Sequence, residues 1–395
     1  MDEHFCVLPW VHLHPRADGR VTCCCNNNNG SLGDFKTQTI TEIANLAEMK
    51  LVRSQMMNNI PVANCAGCKE EEAAGAASAR TNSNYKWREL IPDLLEQTSA
   101  DGKIGYEFKL RQMYIRHSNL CNFACRMCVP ENSSKLKQEL EGNAATAVIK
   151  MSDTVPNYME QVYEQLPHVA YINFAGGEPM LIPEHWEILD ELVRLGRKDI
   201  EISFFTNLST LVHQQKNILD YVKYFPKFWF AASLDASHAR AELFRYGTRW
   251  SKIEDNLKIV KDANIPIKIN CTVSAMNIWH LADFHRYLLD KQFITPAVNY
   301  LQLANLTDPP FLSSKILPAK FKKEVTDKIN DHCTWLAEHN IETEKWQIAV
   351  NFMNSEDNSH LLGQFIDFTH QTDQRRGENT AEVFPELKEI LSGGG

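Results

Sequence analysis

Short β-rich runs alternate with longer amphipathic runs through the middle of the chain. The strand candidates are 110–116, 169–175, 199–206, 227–234, 266–274 and 296–304, and the helical runs are 182–196, 212–224, 250–263 and 278–291. Strands that alternate with helices of this length indicate βαβ units and a parallel sheet. Six such units are too few for a complete eight-unit barrel. The pattern predicts an α/β fold built as a partial (β/α)6, TIM-like barrel, with a flat doubly wound sheet as the alternative.

The two ends of the chain differ from this middle region. Residues 1–80 are rich in turn-forming residues and predict a small separate domain. A linker is expected at 81–105, followed by the barrel at 106–310. Residues 311–395 predict a helical extension. Its helical runs lie near 318–340, 357–372 and 384–392.

Composition and charge narrow the class of protein. A hydrophobic share of 44% and a charged share of 23% are typical of a soluble globular protein. The net charge of −9 argues against a broad surface for nucleic acid or anionic membrane. The chain shows neither a signal peptide nor an apolar run of about 18 residues, so we expect a cytoplasmic protein without a membrane span. In that setting eleven cysteines indicate metal ligation rather than disulfides.

Three closely spaced cysteines give the strongest chemical signal. Cys121, Cys125 and Cys128 follow the pattern Cys-x3-Cys-x2-Cys, with no fourth cysteine nearby. Soft thiolates suit zinc or iron–sulfur clusters, and closed sites of either kind normally use four protein ligands. Three thiolates in one short loop would leave one metal corner open for another ligand. The alternative is a buried helical stripe, because the three positions are spaced i, i+4 and i+7.

A pair of glycines follows the second predicted strand, in the sequence Gly176-Gly177-Glu178-Pro179. Paired glycines let the backbone turn tightly and approach a ligand closely. The Glu178 carboxylate at such a turn can hold an ammonium group through a charge-assisted hydrogen bond. Taken alone, the segment is equally consistent with an ordinary turn.

Together the two motifs resemble those of the radical S-adenosylmethionine (SAM) enzymes. The resemblance implies that the three cysteines hold a [4Fe–4S] cluster whose open iron is chelated by the amino and carboxylate groups of SAM. It also implies that Met127 lies beside the adenine. Gly176, Gly177 and Glu178 would then form the loop that holds the methionyl amino group.

Polar residues at later strand ends extend this resemblance. Barrel active sites collect at the carboxyl ends of the strands. Asn207 follows the third predicted strand, Ser233 and Asp235 close the fourth, and Arg245 comes before the next helix. The resemblance implies that Ser233 and Arg245 contact the SAM carboxylate and ribose, with Asn207 and Asp235 as further cofactor-binding candidates. Alternatively, Asn207 and Asp235 cap the helices that follow, and Arg245 forms a surface ion pair.

A second group of cysteines lies near the N-terminus. It comprises Cys6, the run Cys23-Cys24-Cys25, Cys65 and Cys68. The residues before the run predict a hairpin that turns at Asp18-Gly19. Neighbouring residues of a strand face opposite sides, so we expect Cys24 to point away from Cys23 and Cys25, and all three cannot easily bind one metal.

This region resembles the SPASM domain, or its shorter twitch form, of radical SAM maturases. Gly19-x4-Cys24 and the later Cys-x2-Cys match its pattern. The resemblance implies that Cys6, Cys24, Cys65 and Cys68 ligate a second, auxiliary [4Fe–4S] cluster. Whether Cys23 or Cys25 replaces Cys24 stays open, and a zinc ion held by the four thiolates is the alternative. The family usually places this domain after the barrel, and cysteines for a further cluster are missing, which favours the twitch form.

The combined resemblance implies a radical SAM enzyme that cleaves SAM to a 5′-deoxyadenosyl radical, which abstracts hydrogen from a substrate. Family members with this domain mostly modify peptides or proteins, so a peptide or protein substrate is expected. The alternatives are a sugar, nucleoside or other small-molecule substrate, or a non-catalytic metal-binding scaffold. We also expect a low-potential electron donor such as flavodoxin or ferredoxin, and neither membrane nor nucleic acid as a partner.

Overall fold

The computed structural model describes residues 3–16, 18–25, 31–73, 75, 77–296 and 300–393. The chain divides into two compact units. The first unit comprises residues 1–122, 130–205 and 212–228, and the second comprises residues 123–129, 206–211 and 229–395. No helix in the described ranges combines the length and the apolar character that crossing a membrane requires.

Six strands form one parallel sheet. They are β1 (Gln112–Ile115), β2 (Tyr171–Phe174), β3 (Glu201–Thr206), β4 (Lys227–Ser233), β5 (Ile267–Val273) and β6 (Leu301–Asn305). Their order in the sheet is their order in the chain. In the first unit Gln112 pairs with Tyr171, and Tyr171 pairs with Glu201. In the second unit Ile269 pairs with Leu301.

This strand order confirms the predicted fold class. A doubly wound sheet reverses its strand order at a switch point. Here each new strand is added on the same side of the one before it, as in a barrel. All six strand candidates contain a strand of this sheet, although β6 begins only at Leu301. Residues 297–299 of that last candidate lie outside the described residues.

Helices lie between these strands, and the longer ones bury apolar stripes. The helices are Ser134–Glu141, Tyr158–Gln165, Pro183–Arg194, Ile218–Tyr224, His238–Phe244, Trp250–Asp262 and Leu281–Asp290. Pro183–Arg194 is representative: proline at its first position needs no hydrogen-bond acceptor for a backbone N–H, and Trp186, Leu189 and Leu192 are buried at helical spacing. On the strands behind, the rings of Phe174 and Phe204 stack with centroids 4.6 Å apart.

One helical prediction was wrong at its start. Residues 212–217 form a small antiparallel hairpin, in which Val212 pairs with Asn217. The turn includes Gln214 at a positive φ of 52°. The Asn217 side chain then accepts a hydrogen bond from the backbone N–H of Leu219, so it caps a helix that begins at Ile218.

The N-terminal region contains more regular structure than its composition predicts. Its helices are Leu8–Val11, Ile40–Ala44, Ala47–Met57, Ala66–Ala73, Ala79–Lys86 and Ile91–Glu96, and its antiparallel sheet contains His14–Pro15, Arg20–Thr22 and Gly33–Asp34. The hairpin turns at Asp18-Gly19, with Gly19 at φ 89°. Its second strand ends at Thr22. The strand alternation predicted for Cys23, Cys24 and Cys25 therefore does not extend to these residues.

The C-terminal region is helical, as expected. Its helices are Ala319–Glu338, Glu344–Asn354, Leu362–Arg376, Thr380–Val383 and Lys388–Leu391. The second of these was not predicted, although Trp346, Val350 and Met353 follow a helical period and are buried. The Leu362–Arg376 helix ends at Gly377, whose left-handed φ of 65° lets its N–H bond back to the Asp373 carbonyl.

Candidate functional site

The glycine pair packs directly on the backbone that leads to Cys121. The Gly177 N–H donates to the Ser118 carbonyl (3.0 Å), and the Glu178 N–H donates to the Leu120 carbonyl (2.8 Å). A Cβ at Gly177 would lie only 2.3 Å from the Leu120 oxygen. Gly176 adopts φ 121°, where a Cβ would lie 2.7 Å from the Ser118 oxygen. Two motifs far apart in the sequence thus meet through backbone contacts that only glycine permits.

We expect Gly177→Ala to destabilise the protein, because its Cβ would overlap backbone atoms that cannot rotate away. Such overpacking costs about 1–3 kcal/mol, which corresponds to a loss of roughly 5 °C in Tm. Thermal unfolding measures it. The matched control is Gly363→Ala, in a helix with open space around the new methyl group, where Tm should stay level or rise. An unchanged Tm in Gly177→Ala would contradict the close approach of the two loops.

Glu178 is wholly buried at this turn. Its Oε1 accepts a hydrogen bond from the Met180 N–H (3.1 Å). Asn119, which the sequence analysis did not single out, is also buried and holds the same loop from behind. Its amide nitrogen donates to the Ala147 carbonyl (2.9 Å), and its amide oxygen accepts from the Ile149 N–H (2.7 Å). The backbone that leads to Cys121 is therefore held by hydrogen bonds on two sides, from the glycine turn and from residues 147–149.

Cys121 belongs to the first unit, whereas Cys125 and Cys128 belong to the second. In the first unit the Cys121 N–H donates to the Ser134 hydroxyl (3.0 Å). In the second unit the Cys128 N–H donates to the Cys125 carbonyl (3.1 Å). Cys125 is buried, while Cys121 and Cys128 remain partly exposed. Met127 is partly exposed as well.

Arg245 lies beside Cys125 in the second unit. The two residues pair across a short antiparallel bridge, and the Arg245 Nη1 is 3.9 Å from the Cys125 Sγ. The Arg245 Nε donates to the Asp235 Oδ2 (2.6 Å), and the Asp235 Oδ1 accepts from the Thr272 N–H (2.7 Å). Arg245 therefore forms a buried ion pair, not the surface pair weighed as an alternative. Asp235 does not cap the following helix, whose N-cap residue is Ser237.

Cys125 and Arg245 influence each other's pKa. Burial raises the pKa of the Cys125 thiol, and the Arg245 guanidinium opposes that rise. Burial would lower the pKa of Arg245, but Asp235 and Cys125 outweigh it and raise the pKa overall. A permanent positive charge therefore sits beside Cys125, where it favours the thiolate, the form that binds metal.

The loop between Cys125 and Cys128 is held by the C-terminal region of the second unit. The Arg126 side chain is wholly buried and donates to the Asp373 Oδ1 (2.5 Å) and the Glu378 Oε2 (2.7 Å). Arg376 donates from its Nη2 to the Ala124 carbonyl (2.7 Å). We call Arg126, Asp373 and Glu378 the loop anchor. The sequence analysis missed it, because Asp373 lies 247 positions after Arg126 and no local pattern joins them.

The two other predicted cofactor residues lie at strand ends in the second unit. Asn207 is buried, and its side-chain oxygen accepts a hydrogen bond from the Ser209 N–H (2.9 Å). Ser233 ends β4 and pairs with Asn270. Their contacts with a cofactor stay predictions.

The N-terminal cysteines surround a cavity of ≈ 300 Å³ in the first unit. Its cysteines are Cys6, Cys23, Cys24, Cys65 and Cys68. Burial raises the pKa of the Cys6 thiol to about 12, with a small opposing effect of Arg80. Burial likewise raises the pKa of Cys25 to about 11. All four predicted ligands line the cavity, and Cys23 joins them whereas Cys25 does not. Among the described side chains, no three Cys, His, Asp or Glu are arranged to hold a single metal ion.

Two family models match the chain. The radical SAM superfamily matches residues 115–288, and an iron–sulfur cluster-binding domain, SPASM, matches residues 6–69. No curated protein matches it.

Solved structures with partial similarity were also found. Native anSMEcpe with bound AdoMet and the Cp18Cys peptide is 21% identical, with 58% of this chain and 61% of that chain covered and a TM-score of 0.41. SuiB of Streptococcus suis bound to precursor peptide SuiA is 13% identical, with 73% and 62% covered and a TM-score of 0.33. TYW1 with a lysine-pyruvate adduct is 16% identical, with 55% and 70% covered and a TM-score of 0.28. The chain spans about three fifths of the first two proteins.

Proposed function

Because the chain belongs to the radical SAM superfamily and carries a SPASM domain ahead of its barrel, we propose that it is an enzyme that modifies a peptide or protein by radical chemistry. In this proposal the enzyme reductively cleaves SAM, and the resulting 5′-deoxyadenosyl radical abstracts a hydrogen atom from the substrate. The observation that carries the proposal is the contact between the Gly176-Gly177 turn and the loop leading to Cys121. It supports a common site for Cys121 and the Glu178 turn within the first unit.

SAM and a [4Fe–4S] cluster are the cofactors of the radical SAM domain. We assign Cys121, Cys125 and Cys128 as the cluster ligands. The donor set fits the group, because soft thiolates suit iron–sulfur clusters and a buried guanidinium at Cys125 offsets their charge. When bound, the cluster supplies the electron that cleaves SAM.

The chain's own polar groups orient SAM in this proposal. Glu178 accepts a hydrogen bond from the methionyl ammonium, at the turn whose N–H groups are already engaged with the cysteine loop. Met127 packs on the adenine, and Ser233 and Asn207 contribute polar contacts at strand ends. Arg245 is held by Asp235, so its guanidinium has a fixed orientation and loses little freedom when it meets a carboxylate or hydroxyl.

The SPASM match gives the N-terminal region auxiliary iron–sulfur binding. We assign Cys6, Cys24, Cys65 and Cys68 as the ligands, with Cys23 as the replacement for Cys24. The cavity fits a cluster better than a single ion, because ≈ 300 Å³ is many times the volume of one metal ion. A zinc ion would occupy only a small part of that volume.

The presence of both domains in one chain supports a peptide substrate, since this combination is typical of peptide and protein maturases. Peptides are bound in anSMEcpe and SuiB, the two solved structures named above. The auxiliary cluster held by the N-terminal cysteines would pass an electron to or from this substrate.

The test uses anaerobically reconstituted protein with SAM and dithionite. Two deuterated mixtures, one of peptides and one of small molecules, are added to separate samples, and 5′-deoxyadenosine is analysed by mass spectrometry. We expect 5′-deoxyadenosine in both samples and deuterium in it only with the peptides. Deuterium transfer only from the small molecules would overturn the peptide class, and no 5′-deoxyadenosine in any sample would overturn the enzyme assignment.

A further inference from the structure

The first three strands of the sheet have one apolar face and one polar face. Side chains alternate along a strand, so Met113 and Ile115 face one way and Tyr114 the other. On the polar face, the Ser203 Oγ is 2.8 Å from the Tyr171 hydroxyl and 2.8 Å from the Asn173 amide nitrogen, which donates to it. The buried groups of this face thus largely satisfy one another.

The amino ends of these strands are covered by the N-terminal helices. The Trp87 indole N–H donates to the Gln112 side chain (2.9 Å), and the Lys86 ammonium lies 3.6 Å from the centre of the Tyr171 ring and 2.8 Å from a Glu201 oxygen. At the carboxyl ends the cover is less complete, since Phe205 is 38% exposed. A ligand would therefore enter the polar face from the end that also carries the Gly176-Gly177 turn.

Arg116 lies at the carboxyl end of β1. It directly follows β1, and a Cβ at Gly176 would lie 3.8 Å from its Cα. Its side chain is partly buried, and in the part of the chain that the structure describes no hydrogen bond or ion pair involves its guanidinium. By contrast, Arg53 donates to the Pro9 carbonyl and Arg80 to the Glu72 carboxylate in the same unit. The hydrogen-bond donors of this guanidinium are therefore available to an anionic ligand.

A second polar group near Arg116 also lacks a partner. His14 is 6% exposed, and its Nδ1 is buried without a hydrogen bond. The His14 ring lies 6.3 Å from the Tyr114 ring, and Arg116 follows Tyr114 by two positions, so it faces the same side of β1. Burial lowers the pKa of His14, and the positive charge of Arg116 lowers it further. Arg116 and His14 thus lie on the polar side of β1, beside Tyr114.

We propose that Arg116 binds a carboxylate of the substrate at the open end of the polar strand face, with the His14 Nδ1 as a second polar contact. This inference rests on the proposed function and deepens it, because it specifies an acidic peptide. Guanidinium groups match carboxylates with two parallel hydrogen bonds. The carboxylate belongs either to an Asp or Glu side chain or to a peptide C-terminus, and both present the same chemistry.

The test is protection of Arg116 from phenylglyoxal in the cluster-loaded full chain, read for each arginine by peptide mass spectrometry. The probe is glutarate, and the control compound is the neutral glutaramide. At roughly ten times its Kd, glutarate would leave about a tenth of the sites free and slow modification of Arg116 roughly tenfold. Glutaramide should leave the rate unchanged. Arg88, whose side chain is 51% exposed, serves as the internal control that neither compound protects.

Further arms identify the source of the carboxylate. N-acetylglutamic acid α-amide carries only a side-chain carboxylate, and N-acetylalanine carries only a terminal one. Stronger protection by the first compound would indicate an Asp or Glu side chain, and stronger protection by the second would indicate a peptide C-terminus. Protection by SAM alone would assign Arg116 to the cofactor and overturn the proposal, as would equal rates with glutarate and glutaramide. The same samples are assayed for 5′-deoxyadenosine, so loss of protection with SAM cleavage intact refutes only the role of Arg116.

Discussion

Cys125→Ala is expected to reduce 5′-deoxyadenosine formation below detection while leaving the N-terminal iron in place. Cys125 is the buried member of the cysteine motif and the one that Arg245 contacts. The variant would keep only two of the three thiolates of the motif. We expect two protein ligands to hold the cluster too weakly for it to be retained. Anaerobic iron analysis should then fall from about eight atoms per chain to about four, one [4Fe–4S] cluster being lost.

Cys333→Ala is the matched control for this experiment. Cys333 is a partly exposed thiol in the Ala319–Glu338 helix, outside both cysteine groups, so its variant should keep the iron content and the activity of the wild type. A Cys125→Ala protein with full iron and full SAM cleavage would refute the ligand assignment. Wild-type protein with about four irons and one zinc would instead identify the N-terminal site as a zinc site.

Arg126→Met is expected to lower the free energy of unfolding by about 3 kcal/mol, because the partly buried carboxylates of Asp373 and Glu378 would lose their counter-ion. The corresponding loss in Tm is on the order of 10 °C. The cysteine loop would also lose its anchor, so we expect reconstituted protein to retain less iron than the wild type even below its Tm. Thermal unfolding and iron analysis of the same preparation measure both effects.

Two further variants make this prediction specific. Arg375→Met removes an exposed arginine from the last turn of the same helix and should change stability by no more than about 0.5 kcal/mol. Adding Asp373→Asn and Glu378→Gln to Arg126→Met removes the unpaired charges and should recover most of the lost Tm. A Tm for Arg126→Met close to that of Arg375→Met would contradict the loop anchor.

The parts of the fold that the sequence predicted are those determined by local pattern. Each of the six strands is a β-rich run, and the buried face of Pro183–Arg194 repeats at helical spacing, so periodicity was sufficient to find them. Residues 212–217 were assigned wrongly, because apolar spacing alone does not reveal that Asn217 caps a later helix start. Glu344–Asn354 was not predicted, although its buried residues Trp346, Val350 and Met353 follow a helical period.

For the candidate site, the motifs were local and the contacts were not. The spacing of the cysteines and the glycine turn could be recognised in the sequence, but the overlap of Gly177 with Leu120 depends on the pairing of β1 with β2. The partners of Arg126 lie so far along the chain that no single sequence indicates them. The predicted alternation of Cys23, Cys24 and Cys25 required a strand through all three, whereas the strand ends at Thr22.

The loop anchor joins residues that are synthesised at different times. Asp373 leaves the ribosome 247 residues after Arg126, which at about 5–20 residues per second is a delay of roughly 12–50 s. Throughout that interval the nascent chain presents its cysteine motif without the carboxylates that later enclose Arg126. Iron–sulfur delivery to this motif is therefore expected to follow translation of the C-terminal helices, and the thiols depend until then on a reducing environment.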